Sequence, residues 1–129
     1  MHKIGSFAML PLAGTEMLLG QSLYSNPTDG KKGAHVAVGA TIGGLFAINT
    51  ATGVWNLVAS RHDPNGRTKR WAHALLMMTA DAGFLATSAL APDDDERVGG
   101  SNRRNLHRTV ALTSLAVGTV GYLVMLLSK

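Results

Sequence analysis

Residues 106–127 read LHRTVALTSLAVGTVGYLVMLL, and this stretch decides the fold. After Arg108 it carries no charged residue, and polar side chains do not recur every three or four positions as they do on the outer face of a soluble helix. An α-helix rises about 1.5 Å per residue, so about 20 mostly apolar residues cross a hydrocarbon core about 30 Å thick. The stretch therefore predicts a transmembrane helix.

Three further apolar runs reach the same length, at residues 4–24, 33–60 and 71–91. Turn-forming residues separate the runs at 25–30 and 63–66, and the third connection carries the acidic run 93–96, which is typical of a solvated loop. Four spans nearly fill a chain of 129 residues. We therefore predict an all-α membrane protein in which residues 1–129 form one domain, a four-transmembrane-helix up-down bundle.

Composition excludes several classes of function. The chain has no cysteine, which excludes disulfides, thiolate metal sites and iron–sulfur clusters. Its basic residues lie in the connections without interleaved aromatic residues, a pattern that argues against nucleic-acid binding. The 12 lysines and arginines divide evenly between the two sides of the predicted bundle, but residues 61–70 place four of them in one short loop. We expect that loop, and with it both termini, on the cytoplasmic side.

Each apolar run has a histidine at or just before its first turn: His2, His35, His73 and His107. If the helices alternate in direction, His2 and His73 lie near one side of the membrane, and His35 and His107 near the other. Neutral imidazole is a common axial ligand of haem iron, so two same-side pairs match two bis-histidine haem sites. His62 lies on the side of His2 and is an alternative to it. Histidines also occur simply as polar residues at helix ends.

Small side chains follow two of these histidines along the same helix face. The face that continues from His107 carries Ala111, Ser114, Gly118 and Gly121, and the face that continues from His35 carries Gly39 and Gly43. Such a strip provides clearance for a flat macrocycle, but it also lets transmembrane helices pack directly against one another. The sequence leaves both interpretations open.

The residues around the histidines resemble those of a known family. The matching elements are His2-Lys3-Ile4-Gly5, Gly33-Ala34-His35, Trp71-Ala72-His73-Ala74-Leu75-Leu76 and Leu106-His107-Arg108. With them the chain resembles the cytochrome b561-type transmembrane electron carriers. The resemblance implies two haem b groups, or at least one, with His2 and His73 as axial ligands of one iron and His35 and His107 of the other. It implies at most a transmembrane oxidoreductase or electron-transfer subunit, in a bacterial inner membrane or another energy-transducing membrane.

Cationic side chains at the helix edges fit haem propionates, which are anionic and prefer the membrane surface. The candidates are Arg108 and Lys32 beside one histidine pair and Arg70 beside the other. Ordinary snorkelling of long basic side chains predicts the same residues.

Glu16 and Asp81 are the acidic residues inside the apolar runs. An ionisable group at membrane depth is costly and suggests a function. The two carboxyl groups could carry a proton, border a quinone site, or act as polar contacts between helices. They also define one alternative function, a proton- or cation-coupled transport subunit, and a haem-free accessory or scaffold subunit is another. The expected partners are the lipid bilayer, a quinone or redox protein, and a second copy or a larger complex.

Overall fold

Four α-helices form the protein in the computed structural model, which describes residues 2–92 and 101–127. They are α1 (His2–Ser25), α2 (Asp29–Ala59), α3 (Arg67–Ala89) and α4 (Ser101–Leu127). The described residues contain no β-strand. The predicted all-α chain with four helices is thus confirmed, whereas the acidic run 93–96 lies outside the described residues.

Each helix begins before the apolar run that predicted it, at residues 2, 29, 67 and 101 rather than 4, 33, 71 and 106. At the start of α2, the Thr28 side chain caps the first turn, and Asp29 places a negative charge at the positive end of the helix dipole. Polar residues therefore extend the helices past their apolar parts. As a result His35, His73 and His107 are each the seventh residue of a helix, about 9 Å from its start, and not in its first turn.

Arg70 holds the turn between α2 and α3. Its guanidinium donates hydrogen bonds to the carbonyl oxygens of Ser60 (3.2 Å), Asp63 (2.6 Å) and Asn65. Gly66, the residue before α3, has a φ of 64°, in the left-handed region that favours glycine. These contacts reverse the chain, so α3 runs antiparallel to α2.

The helices pair into two hairpins, α1 with α2 and α3 with α4. Contacts are most extensive within each hairpin and much sparser between the hairpins. The first hairpin is antiparallel, since Gly20 of α1 lies beside His35 and Glu16 of α1 lies beside Gly39. The bundle therefore has two ends. We name the end where α1 finishes and α2 begins the Tyr24 end, and the opposite one the Arg70 end.

Small residues let α3 and α4 pack closely. A Cβ atom on Gly83 would lie 2.0 Å from Ser114 Oγ, and one on Gly118 would lie 3.4 Å from Ala80 Cβ. Ala80 is fully buried, and Ser114 is nearly so. The strip of small residues that continues from His107 thus packs against α3. These contacts are of the kind expected for direct helix packing.

Aromatic contacts connect the two hairpins. The rings of Phe46 and Phe84 join α2 to α3, with centroids 5.0 Å apart. The rings of Phe7 and Tyr122 join α1 to α4 edge to face at 6.2 Å. Because these few large side chains hold the hairpins apart, space remains between them.

Most large apolar side chains lie on the outer surface of the bundle. Among the described residues, Ile42 and Ala80 are the buried apolar ones. By contrast Leu18, Trp55 and Leu85 are each more than two-thirds exposed. Many large apolar side chains are therefore available to contact the surroundings of the bundle.

Two of the four helices are long and apolar enough to cross a membrane, Asp29–Ala59 and Asn102–Leu127. The described residues of α1 and α3 do not reach that level. Each of these two helices has an acidic residue within its apolar run, Glu16 and Asp81, at comparable positions along their lengths.

We predict that Gly83→Ala destabilises the bundle. The added methyl group would overlap Ser114, so either α3 and α4 must separate or the serine must leave its position. Overpacking of this kind costs roughly 1–3 kcal/mol. Denaturant titration of the purified protein measures the change. Gly44→Ala is the matched control, since its Cβ meets nothing within 4 Å. Equal stabilities of the two variants would contradict the close packing of α3 on α4.

Candidate functional site

The structure brings His35 of α2 and His107 of α4 together near the Tyr24 end. Their ring centroids are 6.2 Å apart, and the ring planes are inclined by 75°. The two helices belong to different hairpins, so the rings meet across the space between the hairpins. We call these residues the histidine pair. The sequence predicted that they would share a side, and the structure places them in direct contact.

Each ring of the histidine pair has a partner at Nδ1. His107 Nδ1 lies 2.8 Å from the carbonyl oxygen of Thr87 on α3. A carbonyl only accepts hydrogen bonds, so Nδ1 carries the hydrogen and Nε2 has the lone pair. His35 Nδ1 lies 2.9 Å from Glu16 Oε1 on α1, with both side chains about one-fifth exposed. All four helices thus contribute to the site.

His73 lies at the Arg70 end and is oriented in the same way as His107. Its Nδ1 lies 2.8 Å from the carbonyl oxygen of Gly121 on α4. His73 and His107 are both the seventh residue of their helix, and each donates to a carbonyl of the other helix of the hairpin. The second hairpin therefore has an approximate two-fold symmetry in its histidine contacts.

A cavity of about 560 Å³ lies beside His73, between the two hairpins. Its walls are mostly apolar and come from all four helices, with Met9, Phe46, Met77 and Leu115 among them. Its volume falls in the range of small-molecule and cofactor sites. The wall also includes Arg70, which the sequence predicted to lie near this histidine.

The other histidines that the sequence singled out are less well placed. His2 is the first residue of α1, at the Arg70 end, and its side chain lies outside the described part of the structure. His62 lies in the α2–α3 turn with its side chain exposed. The structure therefore does not bring His62 into the bundle as a substitute for His2.

Arg108 and Arg104 clamp Tyr24 at the end of α1. The guanidinium carbons lie 5.0 Å and 4.8 Å from the centre of the tyrosine ring, within the range of cation–π attraction. Arg108 also donates to Gln21 Oε1 at 2.9 and 3.2 Å, and Arg104 donates to the Tyr24 carbonyl oxygen at 2.8 Å. The tyrosine hydroxyl donates to Asn105 Oδ1 at 2.6 Å. This clamp joins α1 to α4 beside the histidine pair.

The other predicted cationic residues also lie near histidines. Lys32 is partly buried in the first turn of α2, three residues before His35. Arg70 lies three residues before His73, although its guanidinium is engaged by the carbonyl oxygens of the α2–α3 turn. Arg70 therefore stabilises the α2–α3 turn, as Arg108 stabilises the contact between α1 and α4.

The structure separates the two acidic residues. Glu16 contacts His35, whereas Asp81 accepts a hydrogen bond from the Thr50 hydroxyl, which links α3 to α2. Within the described residues no hydrogen bond or ion pair joins the two carboxylates. The two residues lie at comparable positions along α1 and α3. The sequence did not predict that they would have different partners.

Several residues of the site were not predicted from the sequence. Thr87 and Gly121 act through backbone carbonyls, which any residue has, so composition contains no signal for them. Gly20 was also missed, although it lies four residues after Glu16 on the same face of α1. That spacing was the one signal that sequence reasoning could have used.

Comparison with protein-family models, curated proteins and solved structures finds no significant match to this chain. The described residues contain no group of three or more histidine or acidic side chains able to hold a metal ion by themselves.

We predict that Thr50→Val lowers the stability of the bundle. The valine keeps the shape of the side chain but removes the donor to Asp81 Oδ2. An unsatisfied buried polar group costs about 1–3 kcal/mol. Thr41→Val is the control, because that hydroxyl donates within its own helix, to the Ala37 carbonyl oxygen. Denaturant titration should show a larger loss for Thr50→Val, and equal losses would mean that the Asp81 contact is energetically neutral.

Proposed function

We propose that the chain is an integral membrane protein in which all four helices cross the bilayer as an up-down bundle. Helices of 23 to 31 residues are about 35 to 46 Å long, which exceeds the hydrocarbon core. Large apolar side chains face outward, while Glu16, Asp81 and the histidine pair lie between helices. That distribution suits lipid as the surrounding solvent.

We further propose that this bundle binds b-type haem and carries electrons across or within the membrane. The observation that carries the proposal is the histidine pair. Two imidazoles brought together from different helices are a residue set that would hold a b-type haem. The observed separation is 6.2 Å. His107 Nδ1 is hydrogen-bonded to the Thr87 carbonyl oxygen, and His35 Nδ1 lies beside the Glu16 carboxylate, so Nε2 is the nitrogen that each ring would offer.

The protein's own residues would bind, orient and shield the haem. His35 and His107 would be the axial ligands, and Glu16 and the Thr87 carbonyl would hold their orientation. The apolar helices would exclude water, and Lys32 and Arg108 lie at the edge where anionic propionates are favoured. The haem, when bound, supplies the one-electron redox chemistry.

His73 and the cavity beside it are the proposed place of a second haem. The cavity is apolar, spans all four helices and has His73 in its wall. His2 begins α1 at the same end and is the proposed second ligand. Arg70 supplies a cation at that end. The proposed partners are the bilayer and a quinone or protein that exchanges electrons, and the chain would act alone, as a homo-oligomer or as a subunit of a larger complex.

Haem binding is tested by a reduced-minus-oxidised absorption spectrum of the detergent-purified protein, with haem quantified per chain. We expect a b-type spectrum with two haems per chain. One haem per chain would limit the proposal to the histidine pair. A folded, haem-free protein from haem-replete cells would overturn it and favour an accessory subunit or a transport subunit that uses Glu16 and Asp81.

Substitution assigns the ligands. His35→Ala and His107→Ala should each abolish binding of the haem held by the histidine pair, because one axial ligand is lost. His62→Ala is the control, since His62 is exposed in the α2–α3 turn, and we expect its haem content and spectrum to match those of the wild type. Full haem content in both alanine variants of the pair would refute the assignment.

The membrane topology predicts that both ends of the chain lie on the same side, and we propose the cytoplasmic side. Four spans return the chain to the side where it began. Alkaline washing should leave the protein in the membrane fraction, and reporters fused separately to each terminus should report the same compartment. Opposite compartments would exclude an even number of spans.

A further inference from the structure

Glu16 and His35 form a contact that the helices are built to accommodate. Glu16 Oε1 lies 2.9 Å from His35 Nδ1, between α1 and α2. The distance is short, but in this geometry Nδ1 has no hydrogen-bond partner among the described residues, so the carboxylate acts on the imidazole through its charge. A negative charge this close to Nδ1 favours the ring form in which Nδ1 carries the hydrogen and Nε2 has the lone pair.

Two glycines make room for this contact in a reciprocal arrangement. A Cβ atom on Gly39 of α2 would lie 2.9 Å from Glu16 Oε1, and one on Gly20 of α1 would lie 3.3 Å from His35 Cε1. Thus α1 provides Glu16 and, four residues later, Gly20, which faces His35. In the same way α2 provides His35 and, four residues later, Gly39, which faces Glu16. A larger residue at either position would displace the carboxylate or the imidazole.

We infer that Glu16 is a positioning residue for His35, and that its negative charge lowers the midpoint potential of an iron bound by the histidine pair. This inference rests on the proposed function. A carboxylate beside the second nitrogen of a ligating histidine restricts the orientation of the ring and raises its donor strength. A nearby negative charge also favours the more positive, oxidised iron. His107, whose Nδ1 partner is the neutral Thr87 carbonyl, lacks such a charge, so the two ligands are unequal.

The inference gives Glu16 a role distinct from that of Asp81. A carboxylate that only connected helices would affect stability without affecting the redox centre. Asp81 has such a contact, with the hydroxyl of Thr50 on α2. Asp81→Asn is therefore a matched control for Glu16→Gln, since both variants exchange a carboxylate for an amide of equal size within the bundle.

Redox titration of the haem-loaded protein tests the inference. In Glu16→Gln we expect an upward shift of the midpoint potential of the haem held by the histidine pair, with haem still bound. The low-spin electron paramagnetic resonance signal of that haem should also shift, because the His35 ring loses the charge beside its Nδ1 atom. Asp81→Asn should leave both quantities unchanged. An unchanged potential and signal in Glu16→Gln would overturn the inference.

The glycines provide a second test that retains the carboxylate. Gly39→Ala should displace Glu16 and shift the potential in the same direction, by less than Glu16→Gln. Gly43→Ala, one turn farther along the same face, should have no effect, since its Cβ meets nothing within 4 Å. Equal midpoint potentials in the two alanine variants would contradict the inference. If Glu16→Gln fails to fold, the comparison of Gly39→Ala with Gly43→Ala replaces it as the test.

A haem-independent measurement separates failure of the inference from failure of the proposed function. In protein with ¹⁵N-labelled histidine, prepared without haem, nuclear magnetic resonance reports which nitrogen of His35 carries hydrogen. We expect protonated Nδ1 in the wild type and a changed His35 signal in Glu16→Gln. A wild type that never binds haem would overturn the proposed function. Haem binding with an insensitive His35 signal would overturn the inference alone.

Discussion

An imidazole inside an apolar bundle needs a hydrogen-bond acceptor for its N–H group, and this requirement organises the structure. Buried polar groups without partners are costly, so each interior histidine must lie within reach of an acceptor on a neighbouring helix. His73 and His107 use carbonyls of each other's helices, and His35 Nδ1 has the charged oxygen of Glu16 2.9 Å away. These acceptors are reachable only if the helices approach closely. Small residues at the contacts permit that approach.

The two ends of the bundle differ although His73 and His107 have equivalent carbonyl contacts. At the Tyr24 end the rings of the histidine pair are in contact and the cation clamp around Tyr24 joins α1 to α4. At the Arg70 end, His73 is in the wall of a cavity of about 560 Å³. The hairpins pack tightly within themselves but contact each other sparsely. The proposed haem sites both lie along that division.

The two acidic residues illustrate how similar sequence signals acquire different roles. Glu16 and Asp81 lie at comparable depths in helices that run in the same direction. Nevertheless Glu16 contacts an imidazole, whereas Asp81 contacts a hydroxyl. The difference comes from the rotation of each helix about its own axis, which decides what each side chain faces. Depth is set by position along the chain, and the partner is set by packing.

The amino-acid sequence by itself determined the number of helices, their approximate bounds, their alternating direction and the end at which each histidine lies. These properties depend on local apolar run length and turn chemistry, which are encoded in neighbouring residues. The sequence did not determine how far the polar first turns extend each helix. As a result His35, His73 and His107 lie farther from the helix N-termini than predicted. Only the tertiary structure decided that the strip beyond His107 packs on α3, that Glu16 belongs to His35, and that Thr87 and Gly121 supply acceptors. Those outcomes depend on how whole helices are rotated and how far apart they lie. Many small residues allow a close approach, but no single residue determines the arrangement.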